Sequence, residues 1–376
     1  MSHPGELRVA LVHDWLTGMR GGEKVLEVLC ELYPQASLFT LVHVRGSVSW
    51  TIERLHPKAS ILSRLPAVGR FYRHLLPVFP TAIEQIDLDE FDLVISTSHC
   101  AAKSVVRPGR ARHICYCHTP MRYVWDQRDA YFGPQRLGPV RSAALRPVLA
   151  WLARWDAATA RRVDRYVANS QHVARRIARY YNRRAIVIYP PVDTDFFCPD
   201  GTQTTATALV VSALVPYKRV DVAIAACERA GVPLRIVGHG PELSRLRQQA
   251  GPGVEFLGAC RDEEIRARYR EAGVVLLPGE EDFGLVPVEA QACGRPVVAL
   301  GRGGAMETVV NQATGILVDD GSVDAFADGI RRALDTSFDS VAIRRHAEAF
   351  ARPRFAAEMR TAINQMLDAP QHEVSW

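Results

Sequence analysis

Two glutamates, Glu281 and Glu289, stand with seven residues between them, on either side of the turn Phe283-Gly284-Leu285. The apolar run Val274 to Leu277 ahead of them reads as a buried strand by its length and β-branched content. The segment behind them ends at Gly294, a residue type that terminates helices. The spacing therefore predicts a strand, a loop and a helix start. Amides of a first helical turn have no partner within the helix and carry positive partial charge, so this turn suits an anion, and Gly284 lets the backbone come close to it. A carboxylate is a poor neighbour for a phosphate but a good acceptor for the hydroxyls of a sugar diol. The pattern suggests a sugar on each side of a phosphate. An acidic loop capping an ordinary α/β helix is the plainer reading of two bare glutamates.

A counter-charge stands in another loop of the same kind. The strand-like run Ala208 to Ala213 leads into Leu214-Val215-Pro216-Tyr217-Lys218-Arg219-Val220-Asp221. Lys218 there is placed to neutralise a diphosphate as a compact charge, with Arg219 available for bidentate contact; a solvated lysine is the competing reading. Near the N-terminus, the strand Leu7 to His13 gives way to Asp14 and then to Gly21 and Gly22 before a helix through Val25, Leu26, Val28 and Leu29. A glycine-rich loop between a first strand and a first helix is where an α/β sheet meets anionic ligands, or else a tight turn packed on the sheet. Its spacing is not G-x-G-x-x-G, which argues against an ordinary dinucleotide fold. Gly301-Arg302-Gly303-Gly304 reads as a further glycine-rich helix start. His118 ends the strand Arg112 to Cys117, and Asp14, Ser98 and His118 all fall at strand carboxyl ends, where such sheets bind ligands. A lone histidine in that place also serves simple packing. The run His113-Ile114-Cys115-Tyr116-Cys117-His118 offers alternate residues on one face, but no second pair has metal-ligand spacing, so no metal is expected.

The elements that must position these groups alternate along the chain. Strand patterns at Ser37 to Val44, Phe91 to Ser98, Arg112 to Cys117, Arg165 to Ser170 and Ala185 to Tyr189 are separated by helical ones, and the alternation restarts at Ala208. Two open parallel α/β sheets follow, with the crossing near Pro190. The expected division is 1–190, 191–354 and a terminal helix within 355–376. A chain of 376 residues, 48% hydrophobic and 23% charged, fits two soluble globular domains. The balance of 46 basic to 41 acidic residues is too even to imply nucleic acid. The eight cysteines are scattered through apolar segments, as reduced thiols of a cytoplasmic protein would be. Met1 to Glu6 lacks the charged-then-apolar pattern of a leader, and no apolar run is long enough to span a bilayer. Ile61 to Phe79 and Arg136 to Arg154 mix Arg with Leu, Phe, Tyr and Trp without an acid. They suit peripheral contact with an anionic membrane, or core helices with a basic outer face.

The frame E-D-F-G-L-V-P-V-E-A-Q-A-C-G-R-P-V-V resembles the E-x7-E motif of retaining glycosyltransferases of the GT-B fold, family 4 type, and the resemblance extends over nearly the full length. It implies two facing Rossmann-like domains with a cleft between them, the donor held by the second. It implies that Glu281 holds hydroxyls of the transferred sugar, Glu289 the ribose, and the amides of Phe283, Gly284 and Leu285 the distal phosphate. Gly21, Gly22 and, in H-T-P-M-R-Y, His118 match the family's cleft residues, and Arg261 is a candidate contact to the base. Relatives carry an Arg five residues before the Lys, where this chain has Ala213, so Arg219 is the candidate replacement. H-T-P-M-R-Y-V-W-D together with V-P-Y-K-R-V-D looks most like bacterial mannosyltransferases of surface-polysaccharide assembly. That resemblance implies GDP-mannose as donor, no metal cofactor, and a polyprenyl diphosphate-linked or other glycan acceptor. A nucleotide-sugar epimerase or hydrolase of related fold, and a non-catalytic sugar-nucleotide-binding protein, remain alternatives.

Overall fold

The computed structural model describes residues 7–370; the stretch Met1–Glu6, read above for a leader, lies outside the described residues. The chain divides into two compact units, one running through Pro191 and rejoined from Phe355 onward, the other Val192–Arg354.

In the first unit the strands are β1 (Val9–Leu16), β2 (Ser37–His43), β3 (Lys58–Ala59), β4 (Leu93–Ser98), β5 (Arg112–Cys117), β6 (Arg165–Ala168) and β7 (Ala185–Val187). They pair in parallel in the order β3-β2-β1-β4-β5-β6-β7. Every residue of β1, β4 and β5 is buried, as expected of central strands covered on both faces. The order reverses between β1 and β4, and at such a switch point the loops beyond the strand carboxyl ends part and leave a crevice. The terminal helix Arg352–Asp368 closes one face. Phe355, Met359, Ala362, Ile363 and Met366 recur at helical spacing and lie buried in the core with Val9, Leu11, Ile95 and Tyr116.

The second unit holds β8 (Ala208–Val211), β9 (Leu234–Val237), β10 (Val254–Gly258), β11 (Val274–Leu277), β12 (Val297–Leu300) and β13 (Gly315–Val318). Their order is β10-β9-β8-β11-β12-β13, all parallel, with the switch point between β8 and β11. The fold is thus two Rossmann-like α/β sheets. Strand β12 was not anticipated, since its four residues follow Gly294-Arg295-Pro296 without a break of their own.

The two Arg-rich segments are folded parts of the first unit. Residues 61–79 form short helical turns that bury Val68, Tyr72, Leu76 and Phe79 and leave Ile61, Leu65 and Val78 exposed beside Arg64, Arg70 and Arg73. The helix Pro139–Thr159 buries Leu149 and Leu152 and exposes Val140 and Trp151. Among the described residues no helix is long and apolar enough to cross a membrane. All eight cysteines are unpaired, and burial pushes the thiols of Cys30, Cys115, Cys227 and Cys293 up to about 12.

Candidate active site

In the second unit, glycine permits the close approaches that build the site. A Cβ added at Gly279 would lie 2.4 Å from the Tyr217 carbonyl oxygen and 2.8 Å from Lys218 Cα, so the lysine loop rests directly on the backbone following β11. A Cβ at Gly304 would lie 2.3 Å from Phe283 Cα, and the Gly304 amide donates to the Glu281 carbonyl at 2.8 Å. Gly303 and Gly304 therefore buttress the Glu281–Phe283 loop. The expected glycine-rich helix start is a single turn, Ala305–Thr308, because those glycines are needed for packing.

Upon this frame Lys218 Nζ pairs with Glu281 Oε1, and both side chains are mostly buried. The Phe283 ring is buried 5.7 Å from Phe350, so this residue anchors the loop through its side chain. Gly284 takes φ +89°, which side chains disfavour, and precedes the helix Leu285–Ala292. Pro287, third in that helix, has no N–H, so the outward donors of the first turn are the amides of Leu285 and Val286. Glu289 is buried, and its Oε2 accepts from the Tyr269 hydroxyl at 3.1 Å. Burial and this carboxylate raise the Tyr269 phenol well above its ordinary value. A cation and a carboxylate thus meet at the switch point, in the loops that leave β8 and β11, and the helix Leu285–Ala292 begins four residues after the carboxylate. Arg219 and Arg261 do not share their arrangement. Arg219 is half exposed, 3.4 Å from Asp221, and Arg261 is 80% exposed, 3.5 Å from Glu264; each faces a carboxylate in the first turn of its own helix.

In the first unit the helix Gly21–Leu32 begins at the glycine pair, with Glu23 Oε2 accepting the Arg20 amide at 3.1 Å. A Cβ at Gly22 would lie 3.4 Å from His13 Cε1 and 3.6 Å from His118 Nε2, so Gly22 and His118 meet as the strand-end argument requires. The His118 amide donates to Ser98 at 2.8 Å, and its ring packs edgewise on Tyr116. Asp14, expected on the ligand, turns inward instead. Fully buried, it accepts the amides of His99, Cys100, Ala101 and Ala102 at 2.6–2.9 Å and so holds the turn that follows β4. His113 is likewise occupied. Its Nδ1–H donates to the Arg162 carbonyl at 3.1 Å, its Nε2 accepts from Ser96 at 2.8 Å, and burial lowers it to about 3.

Sequence reasoning missed three neighbours: His13, Glu23 and His99. His13 and Glu23 are buried with Nε2 and Oε1 3.8 Å apart, and the His99 ring lies 6.2 Å from His13 and 6.3 Å from His118. The available signal was position: His13 ends the first strand pattern and His99 follows the pattern ending at Ser98. The later half of H-T-P-M-R-Y-V-W-D is structural. Arg176 donates to Thr119 at 2.6 Å and pairs with Asp126, while Trp125 stacks on Tyr180 and donates to Asp156 at 2.8 Å.

Residues 35–196 match the family described as Glycosyltransferase Family 4, and residues 195–350 match Glycosyl transferases group 1. The chain is 32% identical over 298 residues to the D-inositol 3-phosphate glycosyltransferase of Geodermatophilus obscurus, covering 66% of each. It is 34% identical over 196 residues to a GDP-mannose-dependent alpha-(1-6)-phosphatidylinositol monomannoside mannosyltransferase of Mycobacterium tuberculosis, covering 44% of this chain and 51% of that one. The matches thus span no more than two thirds of these relatives. Among solved structures, Anabaena Alr3699/HepE in complex with UDP superposes with a TM-score of 0.71 at 19% identity, over 95% of this chain and 100% of that one. Sucrose-phosphate synthase from Thermosynechococcus elongatus gives 0.69 at 17% identity, over 97% of this chain and 100% of the other. The chain carries the family 4 and group 1 domains of GT-B glycosyltransferases.

Proposed function

We propose that the protein is a retaining hexosyltransferase that moves mannose from GDP-mannose to a hydroxyl of a lipid-linked glycan in surface-polysaccharide synthesis. The observation that carries the reading is the meeting of Lys218 and Glu281 at the β8/β11 switch point, four residues ahead of the helix Leu285–Ala292. Departure of a nucleoside diphosphate builds negative charge on its distal phosphate, and an ammonium with oriented amides stabilises that charge where it forms. Glu281, exchanging its lysine partner for sugar hydroxyls, orients the hexose. Glu289, fixed from behind by Tyr269, receives the ribose. The bond from the anomeric carbon to phosphate oxygen breaks, the bond to the acceptor oxygen forms on the same face, and the leaving phosphate takes the acceptor proton. Lys218 supplies the charge that a metal provides elsewhere, so turnover is expected to survive EDTA.

The mannose and guanine assignments lean on the mannosyltransferase-like motifs and on the relative named above. Membrane contact on the cytoplasmic side is assigned to the exposed Arg and apolar residues of 61–79 and of the helix Pro139–Thr159. A thermal-shift panel of GDP-, UDP- and ADP-sugars tests the donor: stabilisation by GDP-mannose, lost in Glu281→Ala and Lys218→Ala, is expected. Stabilisation by UDP-sugars alone would remove mannose from the assignment. Binding without transfer to any acceptor would make the chain a sensor, not an enzyme.

A further inference from the structure

The turn after β4 carries an imidazole to which nothing above gives a role. We propose that His99, held by Asp14, is an acceptor-binding residue whose Nε2 takes a hydrogen bond from the hydroxyl that receives the sugar; this rests on the transferase reading. The geometry fixes the ring on three sides. Its backbone amide donates to Asp14 Oδ2 at 2.7 Å, and its Nδ1 lies 3.1 Å from the same oxygen. At that separation only an N–H, not a lone pair, can face the carboxylate, so Nδ1 carries the proton, and in the neutral ring Nε2 keeps its lone pair. The Trp15 ring meets the imidazole edge-on, with centroids 4.4 Å apart at 90°, which sets the plane.

Asp14 itself cannot turn away, since four amides hold it. While Asp14 is wholly buried, a quarter of the His99 side chain remains accessible, on a ring whose Nδ1 edge is turned inward. Its neighbours are those of the glycine turn: His13 and His118 lie about equally distant from it, and both approach Gly22. Burial and the neighbouring His13 lower the imidazole to about 3, with Arg122 and Arg20 adding to the effect and Glu23 opposing it. Burial thus favours the neutral ring against the pull of Asp14, and the neutral Nδ1–H tautomer is a hydrogen-bond acceptor at Nε2 rather than an acid. Asp14 is then a positioning residue, acting through His99 and never touching substrate.

His99→Phe keeps an aromatic ring against Trp15 and removes both nitrogens, whereas His99→Gln restores an oxygen or nitrogen near the Nε2 position. In protein labelled with 15N-histidine, the resonances that disappear in His99→Phe identify His99, and a neutral Nδ1–H tautomer is expected. The opposite tautomer would overturn the proposal. With GDP-mannose as donor and octyl α-mannoside as probe acceptor, His99→Phe should lower kcat/KM for the acceptor about tenfold, the worth of one such hydrogen bond. Donor affinity by calorimetry should not change, and His99→Gln should recover most of the loss. Acceptor kinetics unchanged in His99→Phe, or no transfer to octyl α-mannoside together with an imidazole resonance that the probe leaves unmoved, would overturn it. Failure of the wild-type protein to bind any nucleotide sugar would instead overturn the transferase reading, and this inference with it.

Discussion

The two sheets share a strand order through their centres, third-second-first-fourth-fifth-sixth, yet hold their ligand-side loops by different means. In the first unit side chains do it. Asp14 gathers four amides, and Lys103, wholly buried, pairs with Asp156 at 3.0 Å while donating to the Asp156 carbonyl and to Thr159. In the second unit backbone lies against backbone, with added Cβ atoms at Gly238, Gly240, Gly279, Gly303 and Gly304 all falling within 2.5 Å of main-chain atoms. Charges are therefore structural in one sheet. In the other the candidate-site pair Lys218–Glu281 lies on a backbone scaffold built without it.

The largest expected effect separates the two lysines. Lys103→Met leaves Asp156 buried without its cation and should cost about 3–5 kcal/mol in urea unfolding, the price of breaking a buried pair. Lys218→Met should cost less, about 1–2 kcal/mol, since 18% and 14% of the two side chains stay accessible and water can reach the released Glu281, yet abolish stabilisation by the donor. Equal costs for the two would break the comparison. Next come the glycines. Gly304→Ala, with its methyl at 2.3 Å from Phe283 Cα, should lose about 1–3 kcal/mol and disturb Glu281. Gly22→Ala meets only ordinary contacts at 3.4–3.6 Å, so its Tm should hold while acceptor turnover falls.

Acid should distinguish the units more gently. His113 is held neutral, with its imidazole lowered from 6.5 to about 3. Because the unfolded chain takes up the proton and the folded one does not, the stability present above 6.5 is lost as pH falls from there towards 3. The loss is at most about 1.4 kcal/mol per pH unit for this group. No tryptophan lies between residues 156 and 375, so intrinsic emission reports on the first unit and should show its urea midpoint falling between pH 7 and 5. His113→Gln should reduce that slope by about half, the remainder coming from His99, which is lowered alike. The smallest effect is at Arg219, held at φ +51°. Arg219→Gly should raise stability by no more than about 1 kcal/mol by removing the strain of a left-handed side chain. A donor affinity unchanged in that variant would dismiss Arg219 as a phosphate clamp.

Much of the architecture was legible because parallel strands buried on both faces leave unbroken apolar runs, as at Val274–Leu277 and Leu93–Ser98. Glu281, Gly284 and Glu289 were legible because one loop and one helix carry them at fixed spacing. Strand β3 was not, since two residues make no pattern, nor was β12, hidden behind the motif that precedes it. The destiny of Asp14 was hidden for another reason. A carboxylate at a strand end looks the same in sequence whether it faces solvent or the amides of a loop 85 residues away, and only the folded sheet decides. His13, Glu23 and His99 come from three separate segments, so no spacing announced them.

The pairing of Lys218 with Glu281 has a cellular corollary. A lone ammonium beside helix amides would attract every inorganic phosphate and spent nucleotide in its surroundings. Here an intruding anion must first displace a tethered carboxylate that is present at every moment, and only a molecule bringing hydroxyls for the released acid compensates for doing so. If Glu281 receives sugar hydroxyls as proposed, the resting pair is itself a filter against sugarless competitors.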